Sequence, residues 1–309
     1  MSSPAFQRVA PTVDEIRGSL RTVRDLLRWG ASRLQAGGVF CGHGTDDPWD
    51  EAAWLVLWSL HLAPDRLDPV LDARLAPVER DAALALIERR CAERIPAAYL
   101  TGEAWLRGLR FRCDPRALVP RSPIAELLDT DALDPWLPDP HAVARVLDLC
   151  TGGGSLAIFA ARRYERAELT ATDRSADALA LAAENLALHG LEQRVALHPG
   201  DLWTPVAGRR FDLVVCNPPY VNAGSMAVLP PEYRHEPAAA LGAGHDGMDL
   251  VRRIVAGARR QLQPGGVLVL EVGHEAAHFQ AAFPSLECTW LPTAGGDDRV
   301  VLLERDALP

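Results

Sequence analysis

Residues 145–155 of this 309-residue chain read Arg145-Val146-Leu147-Asp148-Leu149-Cys150-Thr151-Gly152-Gly153-Gly154-Ser155. An apolar run leads directly into three glycines, and the apolar, alanine-rich stretch 155–163 that follows has the length of a helix. Glycines between a strand and a helix let the backbone turn tightly and approach a bound ligand closely. This stretch therefore predicts the first strand, loop and helix of an open α/β sheet, with a ligand site at the loop.

The segments around this loop alternate between strands and helices. The predicted strands are 143–149, 168–172, 195–198, 211–216 and 266–272, and the predicted helices are 155–163, 176–188 and 248–262. Such alternation is typical of a doubly wound parallel sheet. Two short final strands, 287–291 and 299–304, lie on either side of a Gly- and Asp-rich turn and predict a terminal hairpin.

The first third of the chain has helical patterning. Helices are predicted from a capping box at Thr12 to near Gly38, from Asp47-Pro48 to about Leu62, and after Pro77. Short extended pieces at 103–106 and 109–113 predict a hairpin, and a helix is expected from 123 to about 136. The predicted organisation is a helical recognition domain (1–95), a β-hairpin linker (96–122) and a sheet domain (123–309).

The composition bounds the class of protein. The formal net charge is −9, and all 32 basic residues are arginine, so no general attraction to nucleic acid or to an anionic membrane is expected. Six scattered cysteines without metal-ligand spacing favour a reducing compartment and predict no metal site. The longest apolar segment, 52–63, is too short to span a bilayer, and the N-terminus lacks a signal-peptide pattern. These observations predict a soluble, cytoplasmic protein.

Asp148 discriminates between two kinds of cofactor. The glycine loop satisfies the pattern of a dinucleotide site, but a carboxylate four residues before Gly152 would repel a pyrophosphate. The ammonium and sulfonium of S-adenosylmethionine would instead be attracted. The sequence thus favours S-adenosylmethionine over NAD, held by Asp148, Thr151, Gly152 and Gly154.

Two further acidic residues follow the next strands. Asp173 lies 19 residues after Gly154, close to the spacing at which an acidic side chain accepts from a ribose diol. Asp201, followed by Leu202, is placed to accept from an adenine amino group. A solvated turn explains Asp201 equally well.

The strand 211–216 ends in Asn217-Pro218-Pro219-Tyr220. The Asn217 side-chain oxygen and the Pro218 carbonyl can each accept one N–H of a planar amino group and aim its lone pair at a methyl donor. Pro219 rigidifies the loop, and the Tyr220 ring can cover the planar group. The motif restricts the acceptor to adenine, cytosine or a carboxamide, with Asn217, Pro218 and Tyr220 as catalytic residues and Asn217 also beside the cofactor.

With these motifs the chain resembles the glutamine N5-methyltransferases related to HemK. Stretches at 94–105, 118–124, 147–152 and 229–237 resemble the branch that modifies the third protein of the large ribosomal subunit. The resemblance implies a class I, Rossmann-like S-adenosylmethionine-dependent methyltransferase sheet with a helical N-terminal domain and a hairpin linker. It also implies that the substrate glutamine is bound by Arg121 and by the four residues after the strand 211–216, which we call the reactive motif. These four residues are Asn217, Pro218, Pro219 and Tyr220.

Alternatives remain open on the sequence. The same chemistry could act on a peptide chain release factor, and an adenine or cytosine amino-methyltransferase of nucleic acid uses similar motifs. A non-catalytic module and a nicotinamide oxidoreductase are less favoured. Two departures from the family pattern are Gly153, where Ser or Thr is usual, and Asn222, where Asp is frequent. A third glycine is expected to loosen the loop.

Overall fold

The computed structural model describes residues 16–309, which form two compact units that divide between Thr101 and Gly102. The predicted capping box at Thr12 lies outside the described residues. Within the described part of the chain, no helix is long and apolar enough to cross a membrane.

The first unit is helical. Its helices are α1 (Val23–Ala36), α2 (Pro48–Ser59), α3 (Leu67–Val70), α4 (Pro77–Glu93) and α5 (Ala97–Thr101), with a 3-10 turn at Pro64–Arg66. The predicted second and third helices are confirmed, and Asp47 caps α2 by accepting from two backbone N–H groups. Within the described residues, the prediction of one continuous helix up to Gly38 is wrong. The chain turns at Ser19, and a capping box of Thr22 and Asp25 starts α1 at Val23.

A buried ion pair joins two of these helices. Arg90 in α4 and Glu51 in α2 are both fully buried, and their Nε and Oε1 atoms lie 2.5 Å apart. Arg90 also donates to the Phe40 carbonyl at 2.9 Å, and Thr45 donates to the second Glu51 oxygen at 2.9 Å. The pair therefore holds the loop between α1 and α2 against the helix core.

The second unit starts with the predicted hairpin, which is confirmed as β1 (Glu103–Leu106) and β2 (Leu109–Arg112). The following helix, α6, spans only Ile124–Leu128, so the prediction of a helix to residue 136 is wrong. Asp129 ends the helix, and the Thr130 hydroxyl donates back to the Glu126 carbonyl at 2.9 Å. Such side chains compete with the helical backbone for hydrogen bonds.

The sheet has seven strands in the order β5-β4-β3-β6-β7-β9-β8. They are β3 (Arg145–Leu149), β4 (Glu168–Asp173), β5 (Val195–Pro199), β6 (Phe211–Cys216), β7 (Leu262–Glu271), β8 (Thr289–Thr293) and β9 (Gly296–Glu304). Strands β3 to β7 are parallel, as predicted. The predicted terminal hairpin is confirmed as β8 and β9, and it extends one edge of the sheet antiparallel to β7.

Helices and apolar side chains cover both faces of this sheet. The helices are α7 (Ser155–Arg163), α8 (Ala176–Leu188), α9 (Ala223–Val228), α10 (Asp249–Gln261) and α11 (Ala276–Ala282), with 3-10 turns at Thr204–Val206, Pro231–His235, Ala238–Ala240 and Arg305–Ala307. Leu149 of β3 pairs with Cys216 of β6. The glycine loop follows β3, and the loop that begins with Asn217-Pro218-Pro219-Tyr220, here called the reactive loop, follows β6. Both loops therefore lie at the carboxyl edge of the sheet, where open α/β sheets bind ligands.

Candidate active site

Asp148 connects β3 to the glycine loop. Its Oδ2 atom accepts from the Thr151 hydroxyl at 2.6 Å and from the Ala157 backbone N–H at 2.9 Å. The other oxygen, Oδ1, is buried and has no hydrogen-bond partner among the described residues. Burial raises the pKa of Asp148 to about 7, against the opposing effect of the two hydrogen bonds. A buried acceptor atom without a partner fits a cationic, N–H-bearing ligand such as S-adenosylmethionine.

Two of the three loop glycines have backbone conformations that side chains rarely adopt. Gly154 has φ +83°, and a Cβ there would lie 3.1 Å from the Cβ of Ala182, so α8 packs closely against the loop. Gly152 has φ +54°. Gly153 has neither restriction, because an added Cβ would meet its nearest neighbours at 3.5 Å or more. Only the first and third glycines of the run are therefore required by the geometry.

Asn185 is a site-forming residue that the sequence analysis missed. It is buried in α8, and its Nδ2 atom donates to the Gly153 carbonyl at 2.8 Å. Its Oδ1 atom accepts from the Arg112 backbone N–H at 2.7 Å, so one amide joins the hairpin to the glycine loop. This bond restrains the loop that a third glycine was expected to loosen. A single amide among the apolar residues of α8 was the available signal.

The two predicted nucleoside-binding carboxylates have different environments. Asp173 ends β4 and accepts from the backbone N–H groups of Gly152, at 2.9 Å, and Ser175, at 2.8 Å. Asp201 is half exposed and forms an ion pair with Arg253. Asp201, Leu202 and Arg253 line a groove of about 280 Å³. The contact of Asp173 with ribose and that of Asp201 and Leu202 with adenine stay predictions, and an adenine amino group would share Asp201 with Arg253.

The reactive motif leaves both of its predicted acceptors available. Asn217 is half-buried, and neither its side-chain amide nor the Pro218 carbonyl has a hydrogen-bond partner among the described residues. Pro218 is buried, while Pro219 and Tyr220 are half-buried. An amide oxygen and a carbonyl oxygen of two consecutive residues are thus both available at the start of the loop after β6, and binding of a planar –NH2 group requires two acceptors of this kind.

Tyr220 is held by a residue that the sequence analysis also missed. Its hydroxyl donates to Oε1 of Glu271 at 2.8 Å. Burial raises the pKa of Tyr220 well above its ordinary value, so the hydroxyl stays protonated. Glu271 ends the apolar strand β7 at the same sheet edge as the reactive motif. A lone acidic residue in that position was the signal for it.

Arg121 forms an ion pair within the same unit. Its guanidinium donates to both oxygens of the buried Glu236, at 2.5 and 2.7 Å, and lies 5.7 Å from the centre of the Tyr233 ring. The Val119 backbone N–H also donates to Glu236, at 3.0 Å. These bonds hold the segment after the hairpin against residues 230–237. The predicted contact of Arg121 with substrate stays a prediction, and it would have to form beside this ion pair.

Asn222, a departure from the family pattern, has a structural explanation. Its Oδ1 atom accepts from the Ser225 backbone N–H at 2.9 Å and caps α9, as an aspartate also would. Its Nδ2 atom donates to the buried Glu275 at 2.7 Å. An aspartate has no donor for this second bond, so the amide suits a neighbouring carboxylate.

Comparisons with known proteins identify the family of the chain. Models of the methyltransferase small domain and of the PrmC N-terminal domain match residues 129–229 and 25–102. The ribosomal protein uL3 glutamine methyltransferase of Bordetella pertussis is 58% identical, and the match covers 94% of this chain and 98% of that protein. The chain belongs to this family. The proteins of the same name in Burkholderia pseudomallei and Neisseria meningitidis serogroup B are 55% and 49% identical, with matches covering 94% of this chain and 96% and 95% of those proteins.

Membership in the uL3 glutamine methyltransferase family confirms the resemblance found in the sequence, and with it the predicted fold class. It makes the chain an S-adenosylmethionine-dependent methyltransferase, as the charge of Asp148 indicates. Nicotinamide redox chemistry and a purely structural module are thereby set aside. Within residues 16–309, no three His, Cys, Asp or Glu side chains are grouped so as to hold a metal ion.

Proposed function

We propose that this enzyme transfers a methyl group from S-adenosylmethionine to the side-chain amide nitrogen, N5, of a glutamine in ribosomal protein uL3. The observation that carries the proposal is the pair of acceptors Asn217 Oδ1 and the Pro218 carbonyl, which have no hydrogen-bond partner within residues 16–309 and follow the strand beside the one that leads into the glycine loop. A glutamine amide presents two N–H donors in one plane, which is the pattern that this pair can bind. The identity of uL3 as substrate rests on the names of the relatives.

Amide nitrogen is a weak nucleophile because its lone pair is delocalised into the carbonyl group. Asn217 and Pro218 can each accept one N–H and so hold the nitrogen with its lone pair directed at the donor. S-adenosylmethionine, when bound, supplies a methyl group on a positively charged sulfur that leaves as a neutral thioether. The methylated nitrogen then loses one proton to water, so that the reaction needs no strong base. Asp148 contributes a negative charge on the cofactor side.

The proposed partner is a large-subunit ribosomal protein, either free or in an assembling ribosome, with no direct nucleic-acid specificity. The net charge of −9 supports this choice, because ribosomal proteins are strongly basic and an acidic enzyme attracts them over a distance. All six cysteines are free thiols, which supports the proposed cytoplasmic location.

Labelled S-adenosylmethionine and ribosomal proteins from a strain that lacks the gene provide the test. We expect label in one large-subunit protein, and peptide mass spectrometry should place one added methylene on a glutamine of uL3. Free uL3, precursor particles and mature subunits, offered in parallel, would show which form is methylated. Label confined to a release factor would instead assign the enzyme to the glutamine methyltransferases that modify release factors. Salt-sensitive transfer to naked RNA or DNA would favour a nucleic-acid amino-methyltransferase.

A further inference from the structure

Glu271 lies directly beside the root of the reactive loop. It ends β7, and the preceding residue, Leu270, pairs with Cys216, the last residue of β6. The Glu271 side chain is buried, with 5% of the residue exposed. An ionisable group in this position costs free energy unless it is hydrogen-bonded or paired.

Each oxygen of the Glu271 carboxylate accepts from one hydroxyl. Oε1 accepts from Tyr220 at 2.8 Å, and Oε2 accepts from Ser122 at 2.5 Å. Burial raises the pKa of Glu271, while these two donors and the cations Arg121 and Arg299 favour the charged form. A carboxylate is the group that can accept both hydroxyls at once, since a protonated acid or an amide has a donor on one side.

The hydroxyl bond and a close glycine together restrict the Tyr220 ring. A Cβ on Gly273, which has φ +55°, would lie 2.4 Å from the ring edge, so the ring rests directly on the backbone there. One end of the ring is thus held by Glu271 and one edge by Gly273. Because the hydroxyl is hydrogen-bonded to the buried Glu271, the ring rather than the hydroxyl is available to cover an acceptor amide.

We propose that Glu271 is a positioning residue for methyl transfer, which fixes the ring of Tyr220 through its hydroxyl. Ser122 lies in the segment after the hairpin and donates to the same carboxylate, so that this segment and the reactive loop are both hydrogen-bonded to Glu271. The inference rests on the proposed function, because it assumes that the ring covers the acceptor amide. A misplacement of about 1 Å in such a site can lower turnover about 10²-fold.

The test compares Glu271→Leu, which has no acceptor oxygen, Tyr220→Phe and the double variant with the wild-type enzyme. We expect each single variant to lower kcat by about 10- to 100-fold, with the KM for S-adenosylmethionine within about twofold of wild type, because the cofactor loop is untouched. If Glu271 acts only through the hydroxyl, the double variant should be no slower than the slower single variant. A purely structural role would not produce this kcat-specific, non-additive pattern.

Tyr164→Phe is the matched control. Tyr164 is another tyrosine of the second unit, and it is buried in the apolar cluster on the other face of the sheet from the cluster that the half-buried Tyr220 contacts. We expect this variant to keep wild-type kcat. If Tyr220→Phe also keeps wild-type kcat, or if the two losses add, the proposal is overturned. Tyr220→Phe alone decides this point should Glu271→Leu fail to fold.

A crystal structure of the Glu271→Leu enzyme provides a readout that does not depend on the substrate. We expect the Tyr220 ring to leave its contact with Gly273 or to lose a defined position, and an unchanged ring would overturn the proposal. Failure of the wild-type enzyme to methylate uL3 would instead count against the proposed function, so the two failures are distinguishable.

Discussion

Cofactor affinity should rise with pH between 6.0 and 7.0 because of Asp148. With a pKa of about 7 in the free enzyme, about 9% of the Asp148 carboxyl is ionised at pH 6.0 and about half at pH 7.0. A cationic cofactor binds the ionised form, so the apparent affinity should increase about fivefold, which corresponds to about 1 kcal/mol. The cofactor's own ammonium stays mostly charged in this range, since α-amino groups titrate near 7.7–8.0.

Calorimetric titration with S-adenosylmethionine at the two pH values measures this effect. Repeating the titration at pH 6.0 in two buffers of different ionisation enthalpy should show release of nearly one proton on binding. Asp148→Asn is the matched control, because an amide keeps the size and an acceptor oxygen but does not titrate. Equal affinities at pH 6.0 and 7.0 in the wild-type enzyme, without proton release, would refute the reasoning.

The raised pKa of Asp148 has the opposite effect on the stability of the free enzyme, which should fall as the pH rises. Because the pKa of Asp148 is raised above its unfolded value, the folded chain binds the proton more tightly, and stability is lost as pH rises towards 7. The difference in unfolding free energy between wild type and Asp148→Asn should therefore move against the wild type from pH 5 to 8. A difference that stays constant would contradict the assigned burial effect.

Four shorter predictions follow from other parts of the structure. Asn217→Ala should keep S-adenosylmethionine binding in calorimetry but lower kcat by about 10²–10³-fold, and unchanged turnover would remove the proposed mechanism. Gly153→Ala should raise the free energy of unfolding by about 0.4–1 kcal/mol in urea titrations, since its Cβ fits and its φ is ordinary; destabilisation would mean that the loop needs this glycine. Glu51→Gln should destabilise the first unit by about 3–5 kcal/mol in denaturant titrations, because it removes the charge of a carboxylate that is buried against the Arg90 guanidinium, and a loss below 1 kcal/mol would contradict this. Finally, kcat/KM for uL3 should fall as salt rises if charge steers the encounter, and a salt-independent value would exclude that attraction.

Local signals in the chain were sufficient for much of the fold. The helices 155–163 and 176–188 and the strand 211–216 have the predicted bounds in the structure. Each is marked by neighbouring residues, such as the glycines before α7 and Ser175, which caps α8. The start of α1 and the end of α6 were misjudged, because apolar spacing continues past residues whose side chains cap or interrupt a helix.

The candidate site was only partly predictable for a related reason. Asp148 and the reactive motif are recognisable because their chemistry is encoded by adjacent residues. The partners that hold them come from distant parts of the chain, since Tyr220 and Glu271 are 51 residues apart and Ser122 and Glu271 are 149 apart. Sequence spacing carries no information on such pairs until the order and register of the strands are known.

The sequence by itself therefore determined the type of sheet, the methyl donor and the planar –NH2 class of acceptor, because strand–loop–helix patterning, the sign of one charge and a four-residue motif are local properties. The tertiary structure decided which groups remain free to bind a ligand and which are already engaged. Among residues 16–309 it gives the Asn217 side chain and the Pro218 carbonyl no hydrogen-bond partner, pairs Arg121 with Glu236, and directs the Tyr220 hydroxyl at Glu271. Those distinctions depend on burial and on contacts across the sheet, and they arise when β3, β6 and β7 come to lie side by side.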